Sequence, residues 1–306
     1  MARELSGTIN SLVQSSLANT TLKSYQNSWK KFDQFLVTLD LDPSTSNIPI
    51  SSQMVALFVA HLFNLNHRAP TIRTHLSAIA YSHRIRDLPS PTDSFLIQKM
   101  LRGAEVQAPG GDARLPVTLP VLKMLINVIS TVANTYYERC LFAAICCTAF
   151  YAFLRSSEFC DTPHCLQLHQ LYVEQDLSFM SITFLSYKHM RGNQPFIIKI
   201  LAKDNVGLCP VRLMSQYLLA RGGKAGPLFA QVDCSPISRS HFTRRLNFFL
   251  RACGLNTLHY KAHSFRIGAA THALLQGKSD SEIEFLGRWA SASFKKYLRV
   301  AGLVSV

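Results

Sequence analysis

The 306-residue sequence contains few carboxylates, since its 18 Asp and Glu residues are outnumbered by 32 Lys and Arg residues. The acidic residues form no cluster of the kind that holds two catalytic metal ions in nucleases and phosphatases. A glycine-rich phosphate loop of the ATPase type is also missing, so nothing in the sequence predicts ATP use. The formal net charge of +14 favours a polyanionic partner, and nucleic acid is the first candidate.

Long apolar segments are missing as well. The longest apolar run, Leu141 to Leu154, has 14 residues, whereas a membrane-spanning helix needs about 20 residues. We therefore predict a buried core helix there and no membrane partner. The N-terminal residues MARELSGTIN lack the apolar stretch of a signal peptide. The eight Cys residues are accordingly expected to be free thiols in a reducing compartment.

One short stretch, CDTPHCLQLH, contains four side chains that can bind metals: Cys160, His164, Cys165 and His169. Their spacing, Cys-x3-His-Cys-x3-His, differs from the usual zinc patterns, and four ligands this close in sequence require a very tight loop. We therefore predict no metal site and no cofactor, with zinc at this stretch as the weaker alternative.

The chain is long enough for two domains, each with its own core. Residues 1–105 show apolar residues at helical spacing and predict an all-helical domain. Its segments are a weak helix or arm over residues 1–18, a helix capped by Asn19, Thr20 and Thr21, and helices beginning at Ser51, Pro70 and Phe95. Residues 106–116, which contain two Pro and a Gly pair, are predicted as a linker, and residues 117–306 as the second domain.

The second domain is predicted to combine helices with a small sheet. Helices are expected over residues 120–131, 135–154, 209–223, 239–254 and 281–287. The segments SFMSITF and QPFIIKI have the period of β-strands, with Arg191, Gly192 and Asn193 as the turn that joins them. The predicted fold is mainly α with a small antiparallel β-sheet.

The stretch from His263 to Tyr297 contains side chains that predict chemistry on a phosphodiester. It opens with His263-Ser264-Phe265-Arg266 at the start of an Ala-rich helix, and Tyr297 follows Trp289 by eight residues. A Tyr hydroxyl can attack phosphorus, and cationic donors can hold the extra negative charge of the transition state.

At these residues the sequence resembles the tyrosine recombinases, also called phage-type integrases. The motifs HSFRIGAAT and LGRW…Y are most similar to those of eukaryotic tyrosine-recombinase transposons of the Crypton and DIRS type. The resemblance covers residues 115–300 well and the N-terminal third more loosely. One departure is that the spacing from Trp to Tyr is one residue shorter than in most bacterial members. The resemblance implies a two-domain architecture, in which residues 1–105 bind the core site and close a clamp on DNA and residues 117–306 form the catalytic domain.

The resemblance also implies the central step. Tyr297 would attack one strand, form a 3′-phosphotyrosine and release a 5′-hydroxyl. Arg155 and Arg266 would hold the non-bridging phosphate oxygens, because one guanidinium can bind two oxygens at once. No metal ion or cofactor is implied, because cationic side chains do the work of metal ions. The implied function is site-specific recombination or integration of DNA, for the integration or excision of a transposon.

Four further residues receive supporting roles from the resemblance. His263 would donate to a phosphate oxygen or accept the Tyr297 proton, and Trp289 would donate through its indole N–H. Lys188 would protonate the leaving 5′-oxygen, with Arg191 and Lys199 of the same hairpin as alternatives. Glu158, three residues after Arg155, would orient His263 or an Arg without touching DNA.

The partner implied is double-stranded DNA, bound by a homo-tetramer in the synaptic complex, with no small-molecule substrate. The residues predicted to contact DNA are Lys23, Lys30, Lys31, Arg73, Arg244 and Arg245, with Arg239 and Arg251 on the same basic helix. Nuclear location follows if the transposon resemblance holds, and cytoplasmic location otherwise. The alternatives are a recombinase-derived DNA-binding protein that no longer cuts and a type IB topoisomerase, which uses the same chemistry.

Overall fold

The computed structural model describes residues 2–43, 48–110, 112–187, 190 and 194–298, without the side chains of residues 2–4, 6, 10 and 14. Its contacts divide the chain into two compact units, Met1–Asp112 and Ala113–Val306. This division falls within residues 106–116, the stretch that the Pro and Gly content predicts as the linker. No helix in the described ranges is both long enough and apolar enough to span a membrane.

The first unit is helical and has an aromatic core. Its helices are α1 (Ala2–Ser15), α2 (Asn19–Val37), α3 (Ser52–Asn64), α4 (Ala69–Arg84) and α5 (Phe95–Gln107), with a 3₁₀ turn at Pro91–Asp93. Phe32 and Phe35 of α2 are buried against Phe58 of α3, with ring centroids 5.0 and 5.3 Å from that of Phe58. These positions follow the helical apolar spacing of the sequence.

The start of α2 differs from the prediction. Asn19, Thr20 and Thr21 were expected to cap this helix from outside, but they form its first turn, and Ala18 is the N-cap residue without a side-chain hydrogen bond. Ala18, Asn19 and Thr20 are exposed, so water can satisfy the N–H groups that a side-chain cap would otherwise satisfy.

The second unit is built around α7. Its helices are α6 (Leu119–Val132), α7 (Tyr136–Tyr151), α8 (Ser156–Phe159), α9 (Pro210–Arg221), α10 (Arg239–Ala252), α11 (Ala262–Leu275) and α12 (Asp280–Gly287), with 3₁₀ turns at Leu168–Gln170, Val206–Leu208 and Ala292–Tyr297. Every residue from Cys140 to Phe150 of α7 is buried, and the helix packs against α6, α9 and α11. The longest apolar run is thus a core helix, as predicted. It ends at Tyr151 rather than Leu154, because Phe153 adopts a left-handed conformation with φ 51°.

A three-stranded antiparallel sheet lies in the order β1 (Leu171–Val173), β2 (Phe179–Phe184) and β3 (Phe196–Leu201). The register pairs Phe179 with Leu201 and Phe184 with Phe196. Strand β1 was not predicted, and the predicted turn at residues 191–193 lies outside the described residues. The predicted fold class, mainly α with a small antiparallel sheet, is confirmed.

A close backbone approach fixes α11. The Val117 N–H donates to the Ser264 carbonyl at 3.0 Å and the Leu115 N–H to the His259 carbonyl at 2.9 Å. A Cβ on Gly268 would lie 1.9 Å from the Val117 carbonyl oxygen. Glycine at position 268 therefore lets the segment before α6 lie directly on α11.

Candidate active site

A cavity of about 380 Å³ lies in the second unit, lined by residues from the ends of several elements. Five of the predicted catalytic residues line it: Arg155, His263, Arg266, Trp289 and Tyr297. The remaining polar lining consists of Arg239, Ser156, Ser157, Ser291 and Ser293. No Asp or Glu belongs to the lining among the described residues. Lys188 and Arg191, the predicted general acid and one alternative, lie outside the described residues.

Arg266 is buried at the wall of this cavity. It follows His263 by three residues on α11, a spacing that places both side chains on one helix face. Its guanidinium donates to the carbonyl oxygens of Phe153 and Gly287, which lie at the C-terminal ends of α7 and α12. Burial, then the neighbouring Arg155 and Arg288 cations, lower the pKa of Arg266. A guanidinium nevertheless stays protonated in a protein, and the two carbonyl groups stabilise the cation.

Arg155 and Glu158 form an ion pair next to Arg266. Arg155 Nη1 lies 3.2 Å from Glu158 Oε1, and the Arg155 backbone N–H donates to Glu158 Oε2 at 2.9 Å. The Glu158 carboxylate is fully buried. The sequence left open whether Glu158 orients His263 or an Arg. These contacts join Glu158 to Arg155, and the orienting role remains a prediction.

A third arginine, Arg288, was not assigned a role from the sequence. Its guanidinium is buried and forms a 2.7 Å ion pair with Glu158. Burial lowers the pKa of Arg288, and Glu158 opposes that shift. Together, Arg155, Arg266 and Arg288 with one carboxylate give this cluster a formal charge of +2 (3 − 1). Since burying uncompensated cations is costly, an anion in the cavity would be strongly favoured.

Trp289 packs between Arg266 and Tyr297. The Arg266 guanidinium lies 3.9 Å from the indole centroid, a cation–π contact, and the Tyr297 ring centroid is 5.6 Å away. A Cβ on Gly287 would come within 1.6 Å of the indole ring. The glycine of the LGRW motif therefore makes room for the tryptophan. Trp289 is half-buried, so packing and hydrogen-bond donation are compatible at this position.

Tyr297 lies beside His263 at the end of a 3₁₀ segment, Ala292–Tyr297. The His263 and Tyr297 ring centroids are 4.9 Å apart with an interplanar angle of 60°. The Tyr297 carbonyl accepts from Thr271 Oγ1 at 3.4 Å, and Lys295 Nζ is 2.9 Å from Asp280 Oδ2. These contacts hold the tyrosine segment against α11 and α12, with the phenol ring half-buried in the cavity lining.

The residues predicted to contact DNA have different surroundings. In the first unit, Lys23 and Lys30 are exposed, Lys31 is half-buried, and Arg73 Nη2 is 2.7 Å from Glu105 Oε1. Their DNA contacts remain predictions.

In the second unit, α10 presents Arg239, Arg244 and Arg251 along one exposed groove. Arg245, by contrast, is directed inwards. Its Nη2 donates to Glu138 Oε2 at 2.9 Å, and its guanidinium stacks on Phe248. These contacts account for Arg245 as a residue that stabilises the fold, and its DNA contact also remains a prediction.

Two residues of the alternative zinc site, Cys160 and His164, are in surroundings that do not involve a metal ion. The Cys160 thiol is buried with its pKa raised by burial to about 12, and His164 Nδ1 pairs with Ser186 Oγ at 3.1 Å. Within the described ranges no group of three or more His, Cys, Asp or Glu side chains is placed to hold a metal ion.

Several solved structures have a fold similar to that of this chain. A lambda integrase dimer bound to a COC′ core site has a TM-score of 0.66 and 15% identity, covering 98% of this chain and 77% of that chain. The XerH site-specific recombinase in a post-cleavage complex with a palindromic difH substrate has a TM-score of 0.65 and 14% identity, covering 90% and 75%. The Tn1549 transposon integrase in complex with circular intermediate DNA has a TM-score of 0.58 and 12% identity, covering 83% and 82%.

The chain has the fold of the tyrosine recombinases. At these identities the likeness is one of fold. Neither a protein-family model nor a curated protein sequence matches the chain. The tyrosine recombinase fold brings together residues from the end of α7, the start of α11 and the segment after α12, which are far apart in the sequence.

Proposed function

We propose that the protein is a site-specific DNA recombinase or integrase that cuts and rejoins strands through a phosphotyrosine bond to Tyr297. One observation carries this proposal: a single cavity is lined by Arg155, His263, Arg266, Trp289 and Tyr297. The tyrosine recombinase fold, and neighbours of that fold described as bound to DNA substrates, support it.

The two arginines suit the phosphate of a DNA strand. A guanidinium has five N–H donors. Arg155 uses two of them, on Glu158 Oε1 and on the Arg288 carbonyl oxygen. Arg266 uses two, on the carbonyl oxygens of Phe153 and Gly287. Donors therefore remain on Arg155 and Arg266 for the non-bridging oxygens. Held in this way, the phosphate gains charge stabilisation as its oxygens become more negative in the transition state.

The reaction exchanges one phosphoester bond for another. The Tyr297 oxygen attacks phosphorus, the bond from phosphorus to the 5′-oxygen breaks, and a 3′-phosphotyrosine forms. The phenol proton passes to His263, and the leaving 5′-oxygen takes a proton from a cationic acid, for which Lys188 is the candidate. In the reverse direction a 5′-hydroxyl of a partner strand attacks and releases Tyr297, so the number of ester bonds is unchanged and no ATP is needed.

The finer assignments are proposals of the same kind. The LGRW and HSFRIGAAT motifs support a kinship with eukaryotic Crypton- and DIRS-type transposons, and hence a nuclear location. A tetrameric synapse on two DNA sites would supply the partner strand for rejoining.

Covalent trapping tests the proposal. Duplexes with randomised flanks are first selected for binding to the protein. The selected duplex is nicked near the bound site, so that the short fragment with the released 5′-hydroxyl diffuses away after cleavage. The nicked duplex is then incubated with the protein in EDTA. Denaturing gels are predicted to show a DNA-linked band for wild type and for Tyr172→Phe, an exposed tyrosine on β1, but none for Tyr297→Phe. Intact binding without a wild-type band would favour a DNA-binding protein that no longer cuts.

A further inference from the structure

Arg155 is held at two points, and both depend on Arg288. Arg155 Nη2 donates to the carbonyl oxygen of Arg288 at 2.8 Å, and Arg155 Nη1 donates to Glu158 Oε1 at 3.2 Å. The other oxygen of Glu158 accepts from Arg288 Nη2 at 2.7 Å. The Arg288 backbone therefore anchors one side of the Arg155 guanidinium, and the Arg288 side chain holds the carboxylate that anchors the other.

The backbone conformation of Arg288 is unusual for an arginine. As the C-cap residue of α12 it is left-handed, with φ 53° and ψ 46°. Glycine or asparagine is usual at such a position, because a larger side chain is strained there. Glycine would end the helix without that strain but would supply no guanidinium. The contacts of the Arg288 guanidinium therefore explain why an arginine occupies position 288 despite the backbone strain.

The guanidinium of Arg288 is itself fixed on two further sides. Its Nη1 donates to the Ala152 carbonyl at 3.2 Å, at the end of α7. The central carbon of the guanidinium, Cζ, lies 3.9 Å from the ring centroid of Phe184 and 5.9 Å from that of Phe196. Phe184 and Phe196 are directly paired across β2 and β3. Arg288 thus joins the end of α7, the end of the β2–β3 pair next to the connecting loop, and the carboxylate of Glu158.

We propose that Arg288 is a positioning residue that fixes the Arg155 guanidinium at the wall of the cavity in which the scissile phosphate would bind. Arg288 is not among the described residues that line this cavity, so it acts through Arg155 and Glu158. The proposal rests on the proposed function, because it assigns Arg288 to the attack on the scissile phosphate. A loss of Arg288 should leave DNA affinity nearly unchanged and slow the formation of the covalent complex.

The test uses Arg288→Met, Arg288→Lys and a matched control, Arg221→Met. Arg221 is 7% exposed, Arg288 is 5% exposed, and both donate to backbone carbonyls, but Arg221 lies at the end of α9, outside the cavity lining. Lysine keeps the charge of Arg288 and lacks the two-pronged geometry of a guanidinium. Glu158→Gln is included because it weakens the same contacts while Arg288 stays in place. Rates are expressed per folded protein, measured by thermal unfolding.

Two nicked duplexes separate positioning from general damage: one has a normal scissile phosphate, and the other has a methylphosphonate, which lacks one charged oxygen. On the normal phosphate, the Arg288 and Glu158 variants should form the covalent complex about 10- to 100-fold more slowly than Arg221→Met. On the methylphosphonate this deficit should shrink. That linkage carries less negative charge, so its reaction depends less on a correctly placed Arg155.

The possible results separate the two proposals. Equal rates for the Arg288 variants and Arg221→Met would overturn the positioning role. An equal deficit on both duplexes would overturn it too, because it would show a loss unrelated to phosphate charge. Failure of the wild-type protein to react with either duplex, while still binding both, would instead refute the proposed function on which the inference rests.

Discussion

The guanidinium of Arg266 lies 3.9 Å from the centroid of the Trp289 indole. Both side chains line the same cavity, and the indole also contacts Tyr297. Trp289 therefore lies between Arg266, the proposed phosphate-binding cation, and Tyr297, the proposed nucleophile. In a desolvated setting a cation–π contact of this kind is worth about 2 kcal/mol. It adds to the hydrogen bonds that Arg266 donates to the carbonyl oxygens of Phe153 and Gly287.

Replacing Trp289 should separate packing from hydrogen bonding. Trp289→Phe keeps an aromatic face on Arg266 but removes the indole N–H, and we expect covalent complex formation to slow by about 10-fold. Trp289→Ala also removes the face, and we expect a loss of about 100-fold or more. Single-turnover rates on a nicked duplex measure both effects. Equal rates for the two variants would show that stacking on Arg266 contributes nothing.

Gly287→Ala should act mainly through Trp289. The added methyl group would lie 1.6 Å from an indole carbon, so the ring must leave the position in which it stacks on Arg266. We expect activity to fall towards that of Trp289→Ala and the free energy of unfolding to fall by about 1–3 kcal/mol. Urea unfolding and covalent trapping measure these changes.

Gly103→Ala is the matched control for Gly287→Ala. Gly103 lies inside α5, and a Cβ there would meet nothing within 4 Å. This change should raise the stability of the first unit by about 0.5–1 kcal/mol and leave activity intact. Full activity in Gly287→Ala would contradict the packing described for Trp289.

Mild acid should destabilise the second unit. Burial lowers the pKa values of His241 and His272, with smaller contributions from Arg244 and Lys203 respectively. Because these histidines bind protons less readily when folded, the unfolded chain takes up protons first as the pH falls below about 6.5. Stability should therefore be complete above that pH and decrease towards pH 5. Urea unfolding of wild type and His272→Gln should show a shallower decrease in the variant, and parallel pH profiles would exclude His272 as a cause.

The sequence predicted the side chains that line the cavity better than the side chains that support them. The spacing of His263 and Arg266 is sufficient to place both on one helix face, and FLRSSE marks Arg155 with Glu158. The sequence does not show whether the side chain of Arg288 or that of Trp289 enters the cavity, because the two residues are adjacent and either side chain could do so. The left-handed conformation of Arg288 decides the outcome: its guanidinium is buried on Glu158, and the Trp289 ring enters the cavity.

The main elements of the fold were predicted where the local apolar pattern of the sequence is strong. The apolar spacing of α2 and α10 and the apolar run of α7 are strong signals in the sequence. Strand β1, in contrast, has only three residues and depends on pairing with β2. Left-handed Phe153 ended α7 earlier than its apolar pattern indicates. Such local backbone choices depend on tertiary contacts, in this case on the arginines that use the Phe153 carbonyl.

The most direct measurement is mass spectrometry of the protein trapped on a nicked duplex and digested with protease and nuclease. We predict one modified peptide, in which Tyr297 carries a nucleotide through the 3′-phosphate, and no modified peptide from Tyr297→Phe. A nucleotide on any other residue, or a 5′-linked phosphate on Tyr297, would contradict the proposed reaction.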